Sequence, residues 1–400
     1  MMKRILAALC LTVLLVSVCP LPVRAAQNTI NVYNWGQYIS DGTDDYIDVN
    51  RAFTEATGIQ VNYMTFDSNE SLYTKLKTGG SSYDVIIPSD YMVARLISEG
   101  MLLELNYDHI PNYQYIDEAY RNMEYDPENR YSIPYTWGTT GIIYNTVYVD
   151  EEDIGSWDLL WNEKYAGKIL MFDNPRDAFA VAEAKLGYSM NTTDPDELRA
   201  CAYELIAMKP LVQGWVMDQI YDAMERGEAW IAPYYAGDYL MMAEENEDLA
   251  FYFPEEGFNF FIDAMCIPTC ATNIEGAEAY INFLCSPEIC GQNLEYLGYS
   301  VPEEAAKAFM DEEAAANEIA YPSSEILARG QSYLFLDPAT TQLMDGLWLE
   351  VKTDGSMDYG PIIGICATVA LVAGYLLFRA IRDHRRRAIR CAAWRKQPAR

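Results

Sequence analysis

Histidine is nearly missing from this chain: of 400 residues only His109 and His384 carry an imidazole. That shortage removes His-rich metal centres. Any Ser/His/Asp triad or Cys/His pair in the main body would depend on His109. This residue sits in the polar run Asn106-Tyr107-Asp108-His109-Ile110-Pro111, where a solvated side chain is expected. Internal repeats and low-complexity linkers are absent too, which argues against beads on a string. Basic residues are scarce between the two ends of the chain. Leaving out residues 1–25 and 359–400, 16 of the 28 Lys and Arg remain beside 58 of the 59 Asp and Glu, so the middle nets 16 minus 58, or −42. Such a surface repels nucleic acid and attracts cations.

The ends read differently. Lys3 and Arg4 precede an apolar run over 5–18, and Val23 and Ala25 are spaced as at a signal-peptidase site ahead of Ala26, so residues 1–25 are expected to be a signal peptide. A lipid-anchored reading would use Cys19, but Val18 stands where a lipobox needs Gly or Ala. Residues 359–378 contain no charge, and a helix of that length reaches ~30 Å, the thickness of a bilayer core. Arg379, Arg382, Arg385, Arg386, Arg387, Arg390, Arg395, Lys396 and Arg400 follow, against Asp383 alone. The positive-inside rule therefore predicts a transmembrane helix over 359–378, a cytoplasmic tail over 379–400 and everything earlier outside. Of the nine cysteines, Cys266, Cys270, Cys285 and Cys290 fall close together outside the membrane. They could form a disulfide in an oxidising compartment or pack as small core residues.

The first hundred residues alternate strand and helix patterns: strands over 29–33, 59–64 and 83–87, and helices over 44–57, 69–77 and 91–98, closed by Gly58, Gly79-Gly80 and Gly100. A second α/β stretch has strands over 168–172, 228–235 and 260–268 and helices over 176–186 and 274–284. The pattern is that of a doubly wound α/β sheet, in which ligands sit beyond the carboxyl ends of the strands. The residues at those ends are rich in aromatics (Trp35, Tyr38, Tyr91, Tyr235, Phe261, Tyr299) and carboxylates (Asp177, Asp238, Asp263), with no Lys or His. Flat rings pack against a methylene chain, and an ammonium group needs acceptor oxygens and an aromatic face. Asp177 and Asp263 also admit a paired-carboxylate glycosidase.

Five motifs carry a resemblance: Tyr33-Asn34-Trp35-Gly36-Gln37-Tyr38; the segment from Ser68-Asn69-Glu70 to Lys75-Leu76-Lys77; Tyr83-Asp84-Val85-Ile86-Ile87-Pro88-Ser89; Tyr131-Ser132-Ile133-Pro134-Tyr135-Thr136-Trp137-Gly138-Thr139; and Lys185-Leu186-Gly187-Tyr188-Ser189 with Asn191-Thr192-Thr193-Asp194-Pro195. In order and spacing they resemble the spermidine/putrescine-binding proteins of bacterial ABC transporters, from about residue 30 to 352. The resemblance implies a two-lobe periplasmic-binding-protein (type II) fold with an interlobe ligand cleft, lobe 1 being 26–134 with 264–301 and lobe 2 being 135–263 with 302–355. It implies a monomer without enzymatic activity, metal or cofactor, which binds a polyamine and passes it to permease subunits with a cytoplasmic ATPase. A membrane-anchored sensor using the same lobes is the alternative. Trp35, Gln37, Tyr38, Ser89 and Tyr91 are then the ligand contacts of lobe 1. Asp177, Tyr235, Asp238, Phe261, Asp263 and the cleft residue Tyr299 complete the set. Several positions depart from the family: Gln37 stands where many relatives have an acid, Asn174 where spermidine binders often have Asp, and Tyr235 and Phe261 where Trp is usual. A Trp-Gln pair has no counterpart around Tyr333-Leu334, while Ala236-Gly237-Asp238 resembles the putrescine branch. These departures leave the ligand's length open.

Overall fold

Strand β1, Thr29–Trp35, buries Ile30 and Val32 completely, as a β-rich apolar segment at the centre of a parallel sheet should. The computed structural model describes residues 28–80 and 82–353. β1 lies between β2 (Gln60–Phe66) and β3 (Val85–Ile86) and is parallel to both. Helices α1 (Val49–Thr57), α2 (Asn69–Thr78) and α3 (Asp90–Ser98) follow β1, β2 and β3 in turn.

Two local expectations are corrected here. The helix predicted from residue 44 starts at Val49, because Asp44 and Asp45 have φ of 52° and 67° and the carboxylate of Asp48 caps α1 by accepting from Arg51 N–H. The strand predicted over 83–87 is two residues long. Tyr83 instead stacks on Tyr33 at 4.3 Å, and the fully buried Asp84 carboxylate accepts from the backbone of Asn31, Thr272 and Asn273, each at 2.8 Å.

The second half of the sheet comes from β4 (Ser132–Asn145), β5 (Ile169–Phe172), α4 (Pro175–Leu186), α5 (Pro195–Met208), β6 (Val212–Val216), α6 (Ile220–Glu225), β7 (Ile231–Tyr235), α7 (Ala236–Glu245), β8 (Leu249–Tyr252) and β9 (Phe258–Cys266). Helices α8 (Ile274–Leu284) and α9 (Pro287–Leu297) follow, then the short α10 (Glu312–Ala315) and α11 (Ser324–Leu327), strand β10 (Gly330–Gln331) and α12 (Pro338–Thr353). The strand order is β2-β1-β3-β9-β4-β7-β5-β6, with β8 beside β4 and β10 beside β9.

β4 and β9 join the halves. Ser132 to Thr139 of β4 pair antiparallel with β9, after which Thr140 to Tyr144 pair with β7. A register shift between Pro134 and Thr136 accommodates the proline, which cannot donate to the ladder. The core beneath β1 and β3 includes Phe53, Ile133, Tyr280, Leu284 and Leu294. Burying each such side chain contributes roughly 1.5–3 kcal/mol.

Cys266, Cys285 and Cys290 are buried free thiols, and Cys270 is a partly buried one. His109 is exposed, as expected, and also has a partner. Its Nδ1 lies 2.6 Å from Oε2 of Glu278, a buried carboxylate on α8 that needs partners, and this hydrogen bond raises the imidazole pKa. The described residues up to Leu347 form one unit that contains the whole sheet, and Trp348 to Thr353 belong to a second. Among the described residues no helix is long and apolar enough to cross a membrane. The expected signal peptide, the span over 359–378 and the basic tail lie outside the described residues.

Candidate functional site

Three helices begin at the cleft with an aspartate in the first turn: Asp90 on α3, Asp177 on α4 and Asp238 on α7. The placement follows from the wound topology, since each helix starts where a strand ends. The helix N-terminus carries partial positive charge that favours a carboxylate there. Asn174 caps α4 through its side chain, accepting from Arg176 N–H at 2.9 Å. The departure from Asp at this position therefore keeps the cap and loses the charge.

The cleft, about 690 Å³ including the part open to solvent, is lined by residues from both halves of the sheet. Of the predicted site residues, Trp35, Tyr38, Ser89, Tyr91, Asp177, Tyr235, Asp238, Phe261, Asp263 and Tyr299 all line it. Gln37 does not. It has φ of 48°, in the left-handed region, and its side chain is exposed. The turn after Gly36 that returns Tyr38 to the cleft leaves Gln37 at the surface, outside the lining.

Each carboxylate deep in the cleft is held by tyrosine hydroxyls. Asp177 accepts at Oδ2 from Tyr235 at 2.7 Å and at Oδ1 from Tyr333 at 3.0 Å. Asp238 accepts at Oδ2 from Tyr299 at 2.6 Å and at Oδ1 from Tyr221. Asp263 accepts at Oδ2 from Tyr38 at 2.6 Å, while its buried Oδ1 has no partner. Burial pushes Asp238 and Asp263 up to about 6, against the tyrosine hydroxyls that pull both down and the Ser89 hydroxyl that also pulls on Asp263, and raises Asp177 in the same way. Behind them Asp90, buried next to β9, is pushed up to about 8, by burial first and by the charge of Asp263 in addition.

Aromatic rings form the remaining walls. Tyr235 meets Phe261 edge to face at 5.5 Å, Tyr38 meets Tyr299 at 5.1 Å, and Trp35 tilts over Phe66 at 4.5 Å. Among the described residues that line the cleft there is no Lys, Arg or His. A cavity with five carboxylates, Asp67, Asp177, Asp218, Asp238 and Asp263, and such walls suits an elongated cation.

The sequence reading missed Asp67, Asn69, Phe66, Met217, Asp218, Tyr234, Asn259 and Tyr333. Asp67 directly follows β2, so the strand-end rule could have found it. Met217 and Asp218 follow β6, a strand whose Gly214 and partly exposed surface hid its pattern.

The sequence model for the bacterial extracellular solute-binding proteins matches residues 49–321. The chain belongs to that family. It is 36% identical to the spermidine/putrescine-binding periplasmic protein of Escherichia coli (strain K12) over 305 residues, 76% of this chain and 86% of the relative. To the putrescine-binding periplasmic protein of Pseudomonas aeruginosa (strain UCBPP-PA14) it is 30% identical, over 88% of this chain and 100% of that one. A solved structure described as a putative spermidine/putrescine ABC transporter from Listeria monocytogenes superposes with a TM-score of 0.78 at 35% identity, covering 81% of this chain and 99% of the other. The α/β binding-protein fold is thereby shown, and the solute-binding family is one of transporter components, not of enzymes. The glycosidase and sensor alternatives find no support among these relatives.

Proposed function

We propose that the protein captures polyamines outside the cytoplasm and delivers them to an ABC importer. The observation that carries this reading is the set of three buried, tyrosine-held carboxylates in one cleft without a basic side chain in its lining. A polyamine alternates methylene chain and ammonium group. The rings take the chain, and Asp177, Asp238 and Asp263 take the charges, each carboxylate keeping acceptor capacity beyond its tyrosine bonds. Trp35, Tyr38, Ser89, Tyr91, Tyr235, Phe261 and Tyr299 complete the contacts. The names of the relatives, spermidine/putrescine-binding and putrescine-binding, support the same class of ligand. Titration calorimetry of the protein with putrescine, spermidine and spermine tests it. Saturable binding to at least one is expected, and heat from none of the three overturns the reading.

The two lobes, 26–134 with 264–301 and 135–263 with 302–355, close on the ligand as a monomer by bending where β4 and β9 cross, a hinge closure. Small-angle scattering should show compaction on adding polyamine. The partners are permease subunits with a cytoplasmic ATPase. The anchor is the uncharged segment 359–378, with the basic residues 379–400 on the cytoplasmic side. Protease added to intact protoplasts should digest the large domain and spare the tail, and full protection of the large domain refutes that topology.

A further inference from the structure

Arg176 follows Pro175 in α4 and precedes the cleft residue Asp177, yet it does not line the cleft. It is 4% exposed, and its Nε and Nη1 have no partner. A buried guanidinium with unmet donors is costly unless its position does something in return. Its Nη2 donates to Oδ1 of Asn191 at 2.7 Å and to the carbonyl of Leu334 at 3.3 Å. Asn191 holds the same stretch of chain from the other side: Oδ1 accepts from Leu334 N–H at 2.7 Å, and Nδ2 donates to the carbonyl of Ser332 at 2.9 Å. The residue between those tied peptides is Tyr333. The Arg176 guanidinium lies 4.6 Å from the Tyr333 ring centroid and 5.9 Å from that of Tyr91, and the two rings meet edge to face at 5.9 Å. So gripped, Tyr333 places its hydroxyl on Asp177. On the far side of Tyr91 is a second cavity, of about 410 Å³, whose lining includes Glu70, Arg176, Leu334 and Asp345. Tyr91 lines both spaces, and Tyr333 beside it lines the cleft alone.

We propose that Arg176 is a positioning residue for ammonium binding at Asp177: it fixes Tyr333 over that carboxylate, and the Tyr91 and Tyr333 wall it supports limits how long an amine the cleft accepts. This rests on the polyamine reading above. Loosening the wall joins the cleft to the second cavity, so the balance of affinities moves toward the longer tetra-amine.

The test is calorimetry of the full chain with putrescine, spermidine and spermine between pH 5 and pH 8, for wild type, Arg176→Gln, Arg176→Lys, Tyr333→Phe and the Arg176→Gln/Tyr333→Phe double variant. Arg176→Gln and Tyr333→Phe should each lose about tenfold for the best wild-type ligand. The double variant should lose no more than the worse single, because both act through one hydroxyl. In both singles the acid-side fall in affinity should move to higher pH, since Asp177 loses a group that favours its charged form. Arg176→Lys, which keeps the charge without the two-pronged grip, should recover only part of the pH profile and none of the affinity. The spermine to spermidine ratio should rise in Arg176→Gln. Losses that multiply to about a hundredfold, or an Arg176→Gln protein with wild-type affinity and pH profile, overturn the proposal alone. A wild type that binds no amine overturns the polyamine reading and this proposal with it. If circular dichroism shows Arg176→Gln unfolded, Asn191→Ala, which cuts the same ties without removing a charge, takes its place in the cycle under the same criteria.

Discussion

Tyr38 donates its hydroxyl to Oδ2 of Asp263 at 2.6 Å, leaving Oδ1 of the same carboxylate buried and without a partner. In the polyamine reading that oxygen is the ammonium acceptor. Asp263→Asn keeps the shape and removes the charge. Truncating one member of a desolvated charged hydrogen bond costs ~2 to 5 kcal/mol, so affinity should drop by roughly 30-fold or more. An Asp263→Asn protein that binds every polyamine within about twofold of wild type, well under the ~1.4 kcal/mol of a tenfold change, refutes the assignment.

Binding should weaken in acid. Burial pushes Asp238 and Asp263 up to about 6 in the folded protein, and an ammonium ligand needs both ionised. For a carboxylate with that pKa, lowering the pH from 7 to 5 costs about tenfold in affinity. The unliganded protein has the opposite trend. The folded pKa of these groups exceeds the unfolded value of about 3.9, so their contribution favours folding below about pH 4 and is lost as pH rises through about 6. The rise in Tm caused by ligand should accordingly grow between pH 5 and pH 7. Equal rises at both would show that these carboxylates do not hold the ligand.

Where each wall residue follows a strand or opens a helix, the sequence exposes it: Trp35, Ser89, Asp177 and Tyr235 lie at such junctions, and alternation of strand and helix finds them. Tyr333 was illegible because it reaches the cleft through long-range contacts, the pairing of β10 with β9 and the ties to Asn191 and Arg176. The fourteen residues of β4 do not announce a strand in the sequence, since Pro134, Gly138 and Gly141 all argue against a strand interior. The register shift and the close approach of Phe261 at Gly138 and Phe251 at Gly141 explain their presence. Gln37 stands outside the lining because of a left-handed turn, φ 48°, that its sequence does not announce.

Gly237 is required by Tyr299. A Cβ there would stand 2.5 Å from Cε2 and 2.7 Å from Cγ of that ring, too close for either atom to stay. Gly237→Ala should displace the ring, break its 2.6 Å hydrogen bond to Asp238 and destabilise the fold by about 1–3 kcal/mol, as overpacking does. Its loss of affinity should at least equal that of Tyr299→Phe, which removes the hydroxyl alone. A Gly237→Ala protein that outbinds Tyr299→Phe by calorimetry would mean that the ring finds another seat against Asp238.

Glu183, on α4 but outside the cleft lining, is fully buried, and neither carboxylate oxygen has a hydrogen-bond partner. Burial pushes it up to about 7, against the pull of the Arg176 guanidinium. Its folded pKa lies above the unfolded value of about 4.3, so its contribution to stability is complete below about pH 4 and disappears as pH rises through 7. Glu183→Gln mimics the protonated form at every pH. It removes an anion near Arg176, which is a cost of its own, but it also removes the penalty of ionising a buried acid. The stability of the variant relative to wild type should therefore improve between pH 5 and pH 8 by on the order of 2 to 3 kcal/mol, at 1.36 kcal/mol per unit of pKa shift. Urea unfolding at the two pH values measures the change directly. A difference between variant and wild type that stays constant across that range would mean that Glu183 is already ionised at pH 5, satisfied by water that reaches it from the Arg176 side.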